Sequence, residues 1–358
     1  MPDSSHPIAE ADAFTAPLIE KLNRHPKRIV FSEGEDPRIL RVAAEMNRLG
    51  AGSPILLGNH DRIEALGREL GIEMGRINAH DPAESTDLPM FCDRLRQMQR
   101  YRGIELSNAC EVLAQPAYFA AMMIQHGQAD GMVAGNQSLP PAVFRPLLQL
   151  VQPLRHVPRV FSTVVQVAPQ LPHFGRDGIL FMADCGLNPE PPVDDLAAIA
   201  VETGLLARHY LGRRVRVALL SHSTMGSSTA GAAPKMKAAT ELARQHAAAR
   251  GADIEIDGEL QVDVALDPDA AEIKLPGADR KQPADVLIFP SLDAAHISFK
   301  LLKHAAGVRT YGQLVQGLAR PAAQVARTMD AASILGTALA IGVEAIKYHE
   351  IYPEGEGS

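Results

Sequence analysis

The chain has 358 residues, 46% of them hydrophobic, which is enough for sizeable cores in roughly two domains. A formal net charge of -7 and a pI near 6.0, with no basic stripe, exclude a nucleic-acid binder. The opening MPDSSHPIAEADAFTAP lacks a basic n-region and an apolar h-region, and no run of about 18 apolar residues occurs, so neither a signal peptide nor a membrane span is expected. Three scattered cysteines, Cys92, Cys110 and Cys185, show no CxxC spacing and cannot all pair. They read as small core hydrophobes of a protein held in a reducing cytoplasm.

Residues 1–16 are polar and proline-punctuated and read as a loose tail. An amphipathic helix is expected over Phe14–Arg24, then a strand at Arg28–Phe31. The turn Ser32–Arg38 follows and leads into a helix that runs to Gly50. Pro54–Leu57 reads as a second strand, followed by Ile63–Gly71 (helix), Arg76–Ile77 (strand), Met90–Tyr101 (helix) and Asp130–Ala134 (strand). Pro140-Pro141, Pro146 and Pro153 mark a seam near residues 146–158. Beyond it, strands are expected at Val160–Val167, Gly178–Ala183, Arg214–Leu220 and Val286–Phe289. Helices are expected at Asp194–Tyr210, Lys235–Arg250, Ala294–Ala305, Gly312–Leu318 and Ser333–Tyr348. Alternation of this kind predicts an α/β protein with mainly parallel sheets covered by helices on both faces.

The stretch most informative about function is VALLSHSTMGSSTAGAAP, Val217–Pro234. A buried strand runs into a turn of Ser221, Ser223, Thr224, Gly226, Ser227 and Ser228, and Pro234 opens a helix. Backbone N–H groups and hydroxyls converge on an anion in such an arrangement, although the same residues also serve plain turn chemistry. Gly226–Gly231 has the glycine spacing of a phosphate-binding P-loop. Ala232 and Ala233 stand where lysine and a hydroxyl residue are required, so a P-loop ATPase is rejected. There is no GxGxxG, no HExxH and no His/Cys cluster, so no metal site is expected.

Acidic residues gather at strand ends: Glu33, Glu35 and Asp36, then Asp184, then Asp257, Glu259 and Asp263, then Asp293. Carboxylates in such places mostly cap helices or cross-link loops. Asp184, in DCGLNPEP, reads equally as a turn whose side chain binds backbone amides and as a ligand-binding carboxylate. In ARTMDAAS, Arg327 offers a planar fork for phosphate and Asp330 a carboxylate able to take a proton. A helix extended back to Arg327 would place both on one side.

Seven segments in order resemble the phosphate acetyl/butyryl transferase family: RIVFSEGEDPR (28–38), QADGMVAG (128–135), ILFMADCGLNPEP (179–191), RVALLSHSTMGSS (216–228), IDGELQVDVAL (256–266), ADVLIFPSLDAAHISFK (284–300) and YGQLVQGLARP (311–321). Through SHSTMGSS and ARPAAQV the chain is similar also to the transferase-like domain at the C-terminus of large bacterial malic enzymes. The resemblance implies two three-layer α/β/α domains with an inter-domain cleft: residues 17–150 with 305–358, and residues 151–304. It further implies a cytoplasmic homodimer that exchanges an acetyl or other short acyl group between coenzyme A and phosphate. Coenzyme A is a substrate there, and no cofactor or metal is implied. Neither nucleic acid nor membrane is an expected partner.

Residue by residue, the resemblance assigns substrate binding to Ser223, Thr224, Gly226, Ser227, Arg145, Asp293 and His296, and catalysis to Arg327, Asp330 and Ser333. The family pattern is not kept throughout. Ala326 replaces a serine, Met329 a cysteine, and Ser333 stands where the catalytic aspartate is expected. Leu139–Val143 replaces a threonine-and-aspartate loop before Arg145. Two readings therefore stand beside each other: an active transferase in which Asp330 serves as base, and an acyl-CoA-binding regulatory protein with impaired turnover. A third, by fold analogy alone, is an NAD-dependent decarboxylating dehydrogenase.

Overall fold

The computed structural model describes residues 8, 10–97, 108–171, 173–277 and 282–346. The chain folds as two compact units: unit 1 takes Met1–Leu154 with Leu318–Ser358, and unit 2 takes Arg155–Gly317.

Unit 1 is built on a wholly parallel sheet of five strands. These are β1 (Lys27–Phe31), β2 (Gly52–Leu57), β3 (Asn78–His80), β4 (Gly131–Ala134) and β11 (Ala322–Gln324), in the order β3-β2-β1-β4-β11. The register sets Val30 opposite both Ile55 and Met132. Two helices, α1 (Thr15–Arg24) and α2 (Pro37–Leu49), each pack on α13 (Ala331–Ile346), and α13 lies against β1 and β4. Close approach is possible because glycine stands where α13 meets the sheet: a Cβ on Gly131 would sit 2.3 Å from Ile341 Cγ2. A second group holds α6 (Pro116–Gln125) and α7 (Pro140–Leu150), with α6 on β1 and β4 and α7 on β11.

Unit 2 holds six strands: β5 (Phe161–Val167), β6 (Ile179–Ala183), β7 (Val215–Leu220), β8 (Ile254–Leu260), β9 (Val286–Ile288) and β10 (Arg309–Gln316). Their order is β10-β5-β6-β9-β7-β8, antiparallel at β10/β5 and β5/β6 and parallel elsewhere. Successive strand residues point to opposite faces. Phe181 stacks on Tyr210 of α8 (Val193–Leu211), which packs beside α9 (Ala233–Ala249). Leu180 and Met182 face the other way. They join a buried cluster with Leu220, Leu260, Val264 of α10 (Val262–Leu266), Ala271 of α11 (Pro268–Lys274) and Phe299 of α12 (Leu292–Ala306). The unit is therefore three layers deep.

Several expectations change. Residues 312–318, read as a helix, lie mostly in β10. Thr310, Tyr311, Leu314 and Val315 are β-branched or bulky residues that pair with β5 and are buried, so tertiary pairing overrides helical spacing. That pairing also carries residues 305–317 into unit 2 rather than unit 1. Arg76 ends a short 3₁₀ turn, and the strand starts later, at Asn78. Pro140 and Pro141 open α7 instead of breaking the chain, because a proline at the first helical position has no N–H to lose.

Within the expected tail, the described residues Asp12–Thr15 are fixed by hydrogen bonds. Asp12 Oδ1 accepts from Thr15 N (2.8 Å) and Asp12 N donates to Thr15 Oγ1 (2.9 Å), a reciprocal cap for α1. Cys92 and Cys110 are joined by a disulfide between α4 (Leu88–Gln97) and α5 (Ala109–Leu113), and only Cys185 is a free buried thiol. The cysteines thus give no ground for a reducing compartment. Residues 98–101 of one expected helix and 347–348 of the last lie outside the described residues. No helix among those described is long and apolar enough to cross a membrane.

Candidate functional site

Parallel strands deliver their following loops to one edge of the sheet. In unit 1 the loops after β1, β4 and β11 meet there. Asp36 caps α2 through Arg38 N (2.8 Å) and receives the Arg38 guanidinium on both oxygens. Burial pushes the Asp36 carboxyl up, but the bonds from Arg38 outweigh it and hold the group below the usual carboxylate range. Glu33 Oε2 accepts from Gly135 N (2.8 Å), which joins the first loop to the second. Gly135 has φ +110° and sits where a Cβ would lie 2.6 Å from the Val325 carbonyl oxygen. Gly135→Ala is therefore expected to cost about 2–3 kcal/mol, through backbone strain plus a displaced third loop. Urea unfolding checks it, and a midpoint equal to wild type would contradict the packing described.

Arg327 lies in the third loop with its side chain at the surface, and among the described residues its guanidinium makes no ion pair. The helix does not reach back to it, because α13 begins at Ala331. Asp330 is the reason. Its Oδ1 accepts from Ser333 N (2.8 Å) and its Oδ2 from Ser333 Oγ (3.1 Å), so it is the N-cap. Asp330 remains exposed, whereas Ser333 is buried. Arg145 projects from α7 to the surface, near Tyr118. Burial raises the Tyr118 phenol pKa and the Arg145 charge opposes that rise.

In unit 2 the hydroxyl-rich turn after β7 is organised around a buried carboxylate that the sequence marks only as acidic. Glu259 Oε1, at the end of β8, accepts from Ser223 Oγ (2.8 Å) and Gly226 N (2.7 Å). Ser223 Oγ in turn accepts from Ser228 N (3.0 Å). Ser227 Oγ accepts from Thr224 N (3.0 Å), and Thr224 Oγ1 from Gln261 N (3.0 Å). Ser223 and Gly226 therefore spend their donors on Glu259, and the Ser227 hydroxyl, on an exposed residue, is tied to Thr224 N and to Ser223 Oγ (3.3 Å).

Burial raises the Glu259 carboxyl, but the bonds from Gly226 and Ser223 prevail and keep it below the usual glutamate range. A folded-state pKa lowered in this way stabilises the fold above the unfolded pKa. The contribution is lost as pH falls through the folded one. Thermal melting of wild type should accordingly decline on acidification below the usual glutamate range. Glu259→Gln should melt lower at neutral pH with a flatter acid dependence, and parallel pH curves would show that Glu259 is not the titrating group.

Asp293 and His296 occupy the first turns of α12, capped by Ser291, and both are exposed. Burial of the ring lowers the His296 pKa, Lys300 lowers it further, and Asp293 opposes them. Among the described residues neither bonds to the 221–228 turn. Asp184 is no ligand candidate, because both its oxygens are filled, by Ser162 of β5 and by the turn that follows it.

A family model described as "Phosphate acetyl/butaryl transferase" matches residues 13–341. This chain belongs to that family. It is 34% identical over 333 residues to a phosphate acetyltransferase of Acetivibrio thermocellus, covering 93% of this chain and 98% of the relative. The fold is similar to that of the EutD phosphotransacetylase from Staphylococcus aureus, with TM-score 0.82, 30% identity, and coverage of 92% and 99% of the two chains. A phosphotransacetylase from Streptococcus pyogenes gives TM-score 0.84 at 28% identity, with coverage of 95% and 100%. Membership in the phosphate acetyl/butaryl transferase family sets aside the dehydrogenase reading.

Arg327, Asp330 and Ser333 thus fall within one capped turn of unit 1, and Ser223, Thr224, Gly226 and Ser227 within one knitted turn of unit 2. Arg145 stands apart on α7, and Asp293 and His296 apart on α12. Sequence reasoning missed Arg38, Asn136 and Gln261. Asp36 before Pro37, an N-cap followed by a proline at the first helical position, was the signal that marked the first loop as fixed.

Proposed function

We propose that the protein is a phosphate acyltransferase that moves an acetyl or similarly short acyl group between coenzyme A and phosphate. Family membership over residues 13–341 supports the reaction class, and the exposed, unpaired Arg327 guanidinium on a fixed turn supports phosphate as one substrate. In one direction the thiol of coenzyme A loses its proton and its sulfur attacks the acyl carbon of an acyl phosphate. A tetrahedral oxyanion forms, the bond to the phosphate oxygen breaks, and phosphate departs. In the other direction a phosphate oxygen attacks the thioester carbon and thiolate leaves. No electrons are exchanged with a redox group, so the chemistry calls for no redox cofactor.

Arg327 is assigned the phosphate, which its planar fork can hold by two parallel bonds. Asp330 is assigned the thiol proton. A thiol of ordinary pKa, roughly 8.5, gains from a base at neutral pH. Ser333 holds that carboxylate by both oxygens and so fixes its direction. The Ser227 hydroxyl, with Ser223, Thr224 and Gly226 shaping its turn, and the exposed Arg145, Asp293 and His296 are assigned to binding substrate. A cytoplasmic homodimer completes the proposal, since coenzyme A esters are metabolites of that compartment.

The second reading, an acyl-CoA-binding regulatory protein like the malic-enzyme domains, is favoured by one observation: Asp330 is already engaged as a helix cap. Phosphate-dependent release of free thiol from acetyl-CoA, measured beside coenzyme A binding by calorimetry, separates the two. Turnover supports the transferase. Tight binding with no turnover on any short acyl chain supports the regulator.

A further inference from the structure

We propose that Arg38 is a positioning residue for Arg327, holding the backbone from which the phosphate-binding side chain projects. This rests on the reading of Arg327 given above. A guanidinium carries five N–H donors in a planar fork, and at Arg38 all five are used. Nε donates to Asp36 Oδ1 (3.0 Å) and Nη2 to Asp36 Oδ2 (2.7 Å). The second Nη2 proton goes to the Asn136 carbonyl (2.8 Å). Nη1 donates to two carbonyls of the third loop, Arg327 O (2.8 Å) and Met329 O (2.9 Å).

One rigid plane thus joins the loops after β1, β4 and β11. Its anchor, Asp36, is buried and doubles as the cap of α2, so the fork cannot swing. On the far side, two carbonyls two residues apart are held by a single nitrogen, which fixes the Arg327–Thr328 and Met329–Asp330 peptide planes. The Arg327 backbone is therefore clamped while its guanidinium stays free for an anion. Lysine offers three donors around a point and cannot span Asp36, Asn136 and both carbonyls. Nothing in Arg38 itself is available to substrate, since each of its protons is already engaged.

The consequence is kinetic. Binding groups displaced by about 1 Å can lose about 10²-fold in rate. Arg38→Lys is expected to lower kcat/KM for phosphate by about 10–10²-fold, with the KM for phosphate raised and that for coenzyme A nearly unchanged. Asp36→Asn keeps the helix cap, because asparagine caps as well as aspartate, but weakens the anchor. It should shift the same constants in the same direction by less.

The deciding measurement is a double-mutant cycle on the purified full chain, with melting curves recorded for every variant. If Arg38 acts through Arg327, then Arg38→Lys in an Arg327→Ala background should cost less than about twofold further. Equal losses in both backgrounds, or a folded Arg38→Lys with wild-type phosphate KM, would overturn the proposal. Should Arg38→Lys fail to fold, Asp36→Asn is read in the same cycle, and an unchanged phosphate KM there overturns it equally. An Arg327→Ala enzyme with normal phosphate kinetics would instead remove the reading of Arg327 on which this rests.

Discussion

Arg327→Ala should reduce phosphate-dependent kcat/KM by about 10²–10³-fold while leaving the melting temperature within a few degrees of wild type. The magnitude is that of losing one preorganised donor to a developing or transferred anion. Stability should be spared because the Arg327 side chain is exposed, and because the bond that fixes the turn is made by its backbone carbonyl to Arg38, which alanine retains. Arg327→Lys divides charge from geometry. Lysine keeps the positive charge but not the bidentate fork, so it should recover only part of the loss. Full recovery by lysine would mean that charge alone matters. Unchanged activity in the alanine variant would take the phosphate site away from this turn altogether. Asp330→Ala behaves differently in one respect: it removes a cap worth about 1 kcal/mol, so its rates must be compared at temperatures well below melting.

How much of this is legible in the sequence depends on distance along the chain. The hydroxyl turn after β7 and the turn at Ser32–Arg38 announce themselves, since each is a strand, a polar turn and a helix start within twenty residues. Asp330 as a cap is also visible in principle: an aspartate with serine three positions on, ahead of an apolar helix, is a start signal. Extending the helix to Arg327 overlooks it.

The rest is not local. Arg38 reaches carbonyls 98, 289 and 291 residues away, and Ser223 meets Glu259 across 36 residues. No spacing rule connects such partners. The misreading of β10 as a helix has the same origin. TYGQLVQ becomes a strand because β5 lies ready to pair with it, and a glycine and two glutamines in the run disguise its preference. Strand ends are best predicted where burial is continuous on both faces, as in Phe161–Val167, since apolar runs of that length leave few alternatives.

Asp184→Ala carries the largest expected cost in stability, about 4 kcal/mol or more. Asp184 is buried at the end of β6, and its two oxygens accept six hydrogen bonds. Oδ1 takes Ser162 N (3.0 Å), Ser162 Oγ (3.1 Å), Gly186 N (2.9 Å) and Leu187 N (3.3 Å). Oδ2 takes Asn188 N (2.8 Å) and Asn188 Nδ2 (2.6 Å). Alanine strands three backbone N–H groups in a closed turn and a fourth, that of Ser162, on β5. Each buried donor left unmade costs about 1–3 kcal/mol, partly offset by no longer burying a charge. Asp184→Asn keeps the shape but turns an NH₂ toward donors, so it should cost about half as much. The urea midpoint, followed by circular dichroism at constant slope, measures both. A loss under about 1 kcal/mol for alanine would mean that water or a rearranged turn replaces the carboxylate. The same turn also reaches α12, the helix that carries the proposed substrate-binding residues, since Leu292 N donates to Pro189 O (3.0 Å) where that helix begins. The alanine variant, assayed below its melting point, should therefore show a raised KM for coenzyme A as well. A carboxylate that touches no substrate would then be governing where Asp293 and His296 stand.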